Sequence, residues 1–327
     1  MVPFAYAAAR SAETAIARVV GVQGAEFIAG GTDMLQLLQE RVREPSELID
    51  ITRLPLAEIA AGPEGARIGA LARMADAADD PGIRQHFPVV AEALLASASP
   101  QVRNMATIGG NLLQRTRCLY FRDVATPCNR REPGSGCPAQ EGENRLNAIL
   151  GGSVQCIAVY PGDLAVALVA LDAEVLVQGA GGKRTIPVER LHRVPGDTPH
   201  VETVLEAGDL ITAVTIPASA HARRSHYLKV RDRASFEFAL ASAAVALEIE
   251  AGTIRQARVA VGGVATTPWR LRHVEEALVG RPLDAGVLRA AAAHSAEGAE
   301  PRGKNAFKVM LLPRTVERAL RTAGGLA

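Results

Sequence analysis

Several features common in chains of this size are missing here, and each absence removes a class of function. There is no excess charge of either sign, with Lys+Arg 36 against Asp+Glu 35. Nothing therefore draws the chain as a whole to nucleic acid or to an anionic membrane. There is no long hydrophobic run. The longest purely apolar stretch, Leu164 to Leu171, falls far short of a bilayer span. The opening MVPFAYAAARSAETAIARVV lacks a basic segment followed by an uninterrupted apolar core, so it does not read as a signal peptide. The expected location is cytoplasmic by the chain's own sequence, or periplasmic if an exported partner carries it. No G-x-G-x-x-G follows a strand pattern, and Gly298-x4-Gly303-Lys304 has Asn305 where a P-loop needs Ser or Thr. The seven histidines show no H-E-x-x-H spacing, and Gly134-Ser135-Gly136 is not a full nucleophile elbow. Internal repeats and low-complexity tails are absent too.

What the chain does have is concentrated. All four cysteines, Cys118, Cys128, Cys137 and Cys156, fall within 39 positions at spacings C-x9-C-x8-C-x18-C. Pro127, Pro133, Gly134, Gly136 and Pro138 lie among them, which predicts loop rather than helix or strand. A long loop in a compact domain is usually functional or disordered. Four thiolates suit an iron–sulfur cluster or a structural zinc, and two disulfides would suit an exported chain. Free cysteines in a disordered insert are the bland alternative. No C-x2-4-C pair of the zinc type is present, and the spacing also misses the compact ferredoxin run. On chemistry alone iron–sulfur stands ahead of zinc.

The rest reads as two or three lobes. In the first, Ser11 to Val20 has helical spacing, Glu26 to Ala29 is a short strand, and Gly30-Gly31-Thr32-Asp33 leads into the helical MLQLLQERV. Thr32 or Asp33 is the expected N-cap. Leu48 to Ile51 is the next strand. A strand that runs into Gly-Gly and a helix leaves backbone N–H groups open to an anion, although an ordinary strand–helix turn looks the same. The second lobe, about 57 to 222, has a strand at Ala66 to Gly69 and helices at Met74 to Ala78 and Pro88 to Ser97. It then repeats the glycine pair in Ala106-Thr107-Ile108-Gly109-Gly110-Asn111-Leu112. Two such turns could close on the two phosphates of a dinucleotide. Asp163 is the expected N-cap of LAVALVAL, followed by strands at Glu174 to Gln178 and Leu210 to Ile216. The third lobe starts near Arg223, with strands at His226 to Val230, Phe238 to Ile249 and Ile254 to Val264. Helices follow at Arg272 to Val279, Ala285 to Ala293 and Asn305 to Arg321, with Pro313 kinking the last or marking its start. Lys229, Arg231, Asp232 and Arg233 read as a charged cluster beside a strand, a solvated edge in the simplest case.

Taken together, IAGGTDMLQLLQ, QVRNMATIGGNLLQ, YPGDLAVALVALDA, YLKVRDRASFEFALASAAV, VAVGGVATTPWRL and GKNAFKVMLLPRT resemble the FAD-binding medium subunit of the molybdenum hydroxylases, the xanthine dehydrogenase family. With the cysteine loop, the resemblance is strongest to the FAD subunits of periplasmic aldehyde oxidoreductases, and it covers essentially the whole chain. It implies an α+β fold. A two-subdomain, vanillyl-alcohol-oxidase-like (PCMH-type) FAD-binding domain would occupy 1–222, with subdomains at about 1–56 and 57–222 and an iron–sulfur loop at 112–160. A C-terminal domain, 223–327, would carry a small antiparallel sheet with helices. The resemblance further implies that Ile28, Ala29, Gly30, Gly31, Thr32, Asp33 and Met34 contact FAD, together with Thr107, Gly109, Gly110, Asn111 and Asp163. Lys229 would lie near the flavin ring. Cys118, Cys128, Cys137 and Cys156 would ligate a 4Fe–4S cluster. The partners implied are a molybdenum-cofactor large subunit, a 2Fe–2S small subunit and an external electron acceptor, in a heterotrimer. No residue is expected to act as a substrate base. The rival readings are a self-contained vanillyl-alcohol-type flavin oxidase, the FAD subunit of a xanthine dehydrogenase or hydroxybenzoyl-CoA reductase, and a zinc-stabilised interaction module.

Overall fold

The computed structural model describes residues 2–326. At the N-terminus, β1 (Ala5–Ala8), β2 (Ala25–Ile28) and β3 (Glu47–Asp50) form a parallel sheet with β3 in the centre. Parallel pairing needs crossovers, and helix Ala12–Gly21 supplies one between β1 and β2. Ser11 starts that helix with a capping box shared with Thr14.

A second sheet is antiparallel, in the order β4 (Ile59–Gly62), β5 (Gly65–Gly69), β8 (Leu210–Pro217), β6 (Glu174–Gly179) and β7 (Gly182–Pro187). Helices Met74–Asp79, Pro88–Ala96 and Asp163–Ala170 share its core. All eight residues of the last are buried. This explains LAVALVAL: a helix covered on every side has no polar face to show.

The third sheet is antiparallel, in the order β12 (Trp269–Arg270), β11 (Thr253–Gly262), β10 (Ala241–Glu250) and β9 (Ser225–Val230). The β10–β11 turn is Ala251-Gly252, both at positive φ (48° and 77°), as a tight hairpin requires. Strand β10 is buried on both faces. Ala244 and Ala246 join the core around helix Asp163–Ala170, while Ala243, Val245 and Leu247 pack towards helices Arg272–Leu278, Ala285–Ala293 and Phe307–Gly324. The small alanines let the first of these helices approach closely.

Helix Phe307–Gly324 starts before Pro313 and runs through it, so the proline does not mark the start. From its first turn the fully buried Lys308 donates to the carbonyls of Asn147 (3.0 Å) and Gly263 (2.7 Å). Burial, with Arg145 nearby, pushes its ammonium down to about 7. The end of the cysteine segment is thus tied to the C-terminal helices. Strands β1, β4, β7 and β12 have no counterpart among the sequence expectations. Among the described residues no helix is long and apolar enough to cross a membrane.

Candidate functional site

The first glycine turn leaves β2 at Ile28 and enters helix Met34–Gln39. Gly31 sits at φ 70°, where a side chain would be strained. Gly30 is packed so closely that an added Cβ would stand 2.0 Å from the carbonyl oxygen of Met105. The two glycine turns therefore touch, because Met105 directly precedes the second. Residues 28–34 are half-buried, yet among the described residues no acceptor meets the N–H groups of Gly30, Gly31, Thr32 and Asp33. Half-buried donors of this kind call for a partner from outside the chain.

The second turn is fixed by pairing with the segment after β5. Ile108 and Gly109 donate to Ala72 and Ala70 at 2.9 and 2.8 Å, and Met74 donates to Ala106 at 2.9 Å. Thr107 caps helix Ile108–Leu112 by accepting from the Gly110 N–H. Gly109 is buried and Gly110 exposed. An added Cβ at Gly110 would meet only Thr107 Oγ1, at 3.0 Å. Asn111 Oδ1 is buried without a partner, while its Nδ2 contacts Met74 Sδ at 3.4 Å. Free N–H groups, an orphaned amide oxygen and a bare glycine surface fit a bound dinucleotide, with the pyrophosphate over the glycines.

Asp33 holds the N-cap position of the helix, as expected, but its side chain makes no capping hydrogen bond. Its carboxylate instead turns to the cysteine segment, accepting from the Arg115 N–H (2.8 Å), from Arg122 (2.9 Å) and from Arg117. Arg122 also reaches Glu40 at 3.0 Å. Asp163 is not an N-cap: Gly162 holds that position. The Asp163 carboxylate is buried, accepting from Ser97 (2.9 Å), Tyr227 (2.6 Å) and Lys229 (2.8 Å). The Lys229 side chain is only 3% exposed, so it belongs to this closed pair and not to a solvated edge. No hydrogen bond joins the pair to either glycine turn. Asp232 is bound by Arg145 (2.7 and 2.9 Å), and Arg231 donates to Ala96 O (3.0 Å).

The cysteine segment is irregular, apart from single helical turns at Leu119–Arg122 and Pro138–Gln140. All four thiols are free, so the disulfide reading falls. They line one cavity together with Tyr120, Phe121 and Arg130. Asn129 and Gly136 bond each other twice (2.8 and 2.7 Å) and pin the stretch between Cys128 and Cys137. Asn147 Nδ2 and the Ala158 N–H approach the sulfurs of Cys118 and Cys156 at 3.7 and 3.4 Å. Burial, then the neighbouring Cys156 and Cys118, pushes the Cys137 thiol up to about 11, and burial raises Cys118 as well. Ligation of a metal would thus displace protons. Among the described residues no three His, Cys, Asp or Glu side chains are placed to hold a single metal ion. The segment also has apolar anchorage of its own: Phe121 is fully buried against Leu37 and Cys128.

Sequence reasoning missed Arg115, Arg130, His192 and Glu202. Glu202 joins Arg115 (2.9 Å) and Arg130 (3.4 Å). His192 Nε2 meets Leu112 O at 2.9 Å, and burial pushes its imidazole down to about 4, so it is neutral. The partners of these residues lie more than 70 positions away in sequence, which no local pattern signals.

The fold and the two glycine turns fit a dinucleotide-binding protein, and comparison with known proteins identifies the dinucleotide as FAD. Residues 2–219 match the FAD binding domain in molybdopterin dehydrogenase, and residues 225–323 match the CO dehydrogenase flavoprotein C-terminal domain. The chain belongs to the FAD-binding medium subunits of the molybdenum hydroxylase family, and it is an FAD-dependent oxidoreductase subunit. It is 44% identical over 304 residues to the aldehyde oxidoreductase FAD-binding subunit PaoB of Escherichia coli (strain K12), covering 92% of each chain. It is 28% identical over 332 residues to the carbon monoxide dehydrogenase medium chain of Hydrogenophaga pseudoflava, covering 99% of this chain and 98% of the other. The solved carbon monoxide dehydrogenase of the same organism superposes over 100% of both chains, with a TM-score of 0.77 and 26% identity. The expected family and fold class are borne out.

Proposed function

We propose that the chain is the FAD and 4Fe–4S electron-transfer subunit of a heterotrimeric molybdenum-containing aldehyde oxidoreductase. It would work beside a molybdenum-cofactor large subunit and a 2Fe–2S small subunit and deliver electrons to an external acceptor. One observation carries the reading: the segment whose four free thiols line one cavity is mounted on the first glycine turn, through Asp33. The aldehyde follows from the likeness to a subunit of that name.

FAD, when bound, supplies the redox chemistry, and the protein positions it. The N–H groups of Gly30 to Asp33 would face the pyrophosphate, and Gly109 and Gly110 would let it approach. Asp33 would not repel it, since Arg115, Arg117 and Arg122 engage its carboxylate. Thr107 holds the second turn in shape, and Asn111 Oδ1 has an acceptor to offer. Ile28, Ala29 and Met34 would frame the first turn. Asp163 and Lys229 would brace the wall behind the flavin through Ser97 and Tyr227. Cys118, Cys128, Cys137 and Cys156 would ligate the cluster.

The test compares the purified chain with the complete complex. The chain alone should show flavin absorbance and exchange electrons with acceptor dyes, yet oxidise no aldehyde. Aldehyde turnover by the lone chain would overturn this reading in favour of a self-contained flavin oxidase.

A further inference from the structure

Arg130 lines the same cavity as the four cysteines. Its side chain is 8% exposed, with the guanidinium beside Cys156 and Cys128. It lies two residues after Cys128, and Asn129 between them is held to Gly136 and Gln155. A buried cation needs compensation. One anion supplies it: Glu202, at 3.4 Å. Glu202 also binds Arg115, whose own N–H holds Asp33 on the first glycine turn. A continuous chain of charged contacts thus runs from the cysteines to the flavin cradle. Arg130 Nε and His192 Nδ1 are both buried without partners, and both side chains line a second small cavity with Glu202 and Leu112. Leu112 closes the helix of the second glycine turn. Arg130 therefore stands between the two cofactor regions.

We propose that Arg130 is a positioning residue that fixes positive charge against Cys128 and Cys156 and raises the reduction potential of the cluster they would hold, with Glu202 as its counterweight. The inference rests on the cluster reading above. Each electron entering a group held by four thiolates adds one negative charge, and a fixed cation beside two of those ligands favours that state. Glu202 works in the opposite direction by partly neutralising the cation. A role in folding alone would not give the two residues opposite signs.

The experiment uses the chain purified with its flavin and iron. Reduction is stepped with dithionite and mediators, the cluster is followed by low-temperature EPR and the flavin by visible absorbance. Arg130→Met should move the cluster midpoint to more negative potential, and Arg130→Lys should restore most of it. Glu202→Gln should move it to more positive potential, and the flavin midpoint should stay in place throughout. Unchanged midpoints in Arg130→Met and Glu202→Gln, or shifts of the same sign, would overturn the proposal. If Arg130→Met loses its iron, Glu202→Gln decides by the sign of its shift, and Arg130→Lys should keep its midpoint close to that of the wild type. A wild-type chain with no iron and no reduced-cluster signal would instead overturn the cluster reading itself.

Discussion

The two glycine turns and the cysteine segment are neighbours joined through Asp33, but they are built in different ways. The turns are backbone packed on backbone: a Cβ at Gly30 would meet Met105 O at 2.0 Å, and one at Gly109 would meet Ala70 O at 3.3 Å. The cysteine segment is side chain tied to backbone. Arg131 donates to the carbonyls of Tyr120 and Phe121 at 2.9 Å each, Asn129 bonds Gly136, and a Cβ at Gly134 would meet nothing within 4 Å. The first region cannot change without moving the subdomains that carry it. The second can change its residues while the scaffold stays as it is. The FAD chemistry shared by the family would sit on the first, and the proposed cluster on the second.

The sharpest break in the comparison is on the scaffold side. Asp163→Ala would leave Lys229 buried with Ala96 O as its remaining partner. It should cost about 3–5 kcal/mol in denaturant unfolding, with the thiol cavity untouched. A cost under about 1 kcal/mol would show the pair to be marginal.

Glycine substitutions contrast the regions directly. Gly30→Ala should destabilise by about 3 kcal/mol and abolish FAD binding. Gly110→Val, on an exposed position, should yield folded but largely FAD-free protein. Gly134→Ala, at φ 86° with open space around it, should cost about 1 kcal/mol and keep full FAD. Flavin absorbance per folded chain reads all three. Full occupancy in Gly110→Val would refute the cradle.

A smaller effect belongs to the joint between the regions. Burial would raise the Glu202 carboxyl, but Arg130 and Arg115 hold it below the ordinary glutamate value. A depressed folded value means that its stabilisation is complete above the ordinary glutamate range and is lost as pH falls through the lower folded value. Glu202→Gln should flatten the acid limb of the stability curve by about 1 kcal/mol. An unchanged acid limb would contradict the ion pair.

Particular residues show what the sequence could reveal. Helix Ala285–Ala293 lies where its spacing predicts, because Asp284 caps it and its apolar face is periodic. The glycine pairs were legible because glycine marks close approach wherever it occurs. Strand β7 was not, since Gly182–Pro187 is an edge strand with a single buried residue and no alternation to read. Nor was the Asp33 clamp, whose arginines lie 82 to 89 positions away. The segment's composition also hid Phe121, one buried ring among prolines and glycines, and with it the segment's apolar anchor. Its exposed stretches, 123–125 and 132–134, are where a protease should cut once the ligands are lost.

The central claim is that two cofactors occupy two independently built sites. It is tested by iron and FAD content, with the EPR spectrum of the dithionite-reduced protein, in wild type and in single Cys→Ser variants at 118, 128, 137 and 156. The wild type should hold about four iron atoms and one FAD per chain, and every variant should lose cluster iron while keeping FAD. Zinc without iron, or loss of FAD together with the iron, would contradict it.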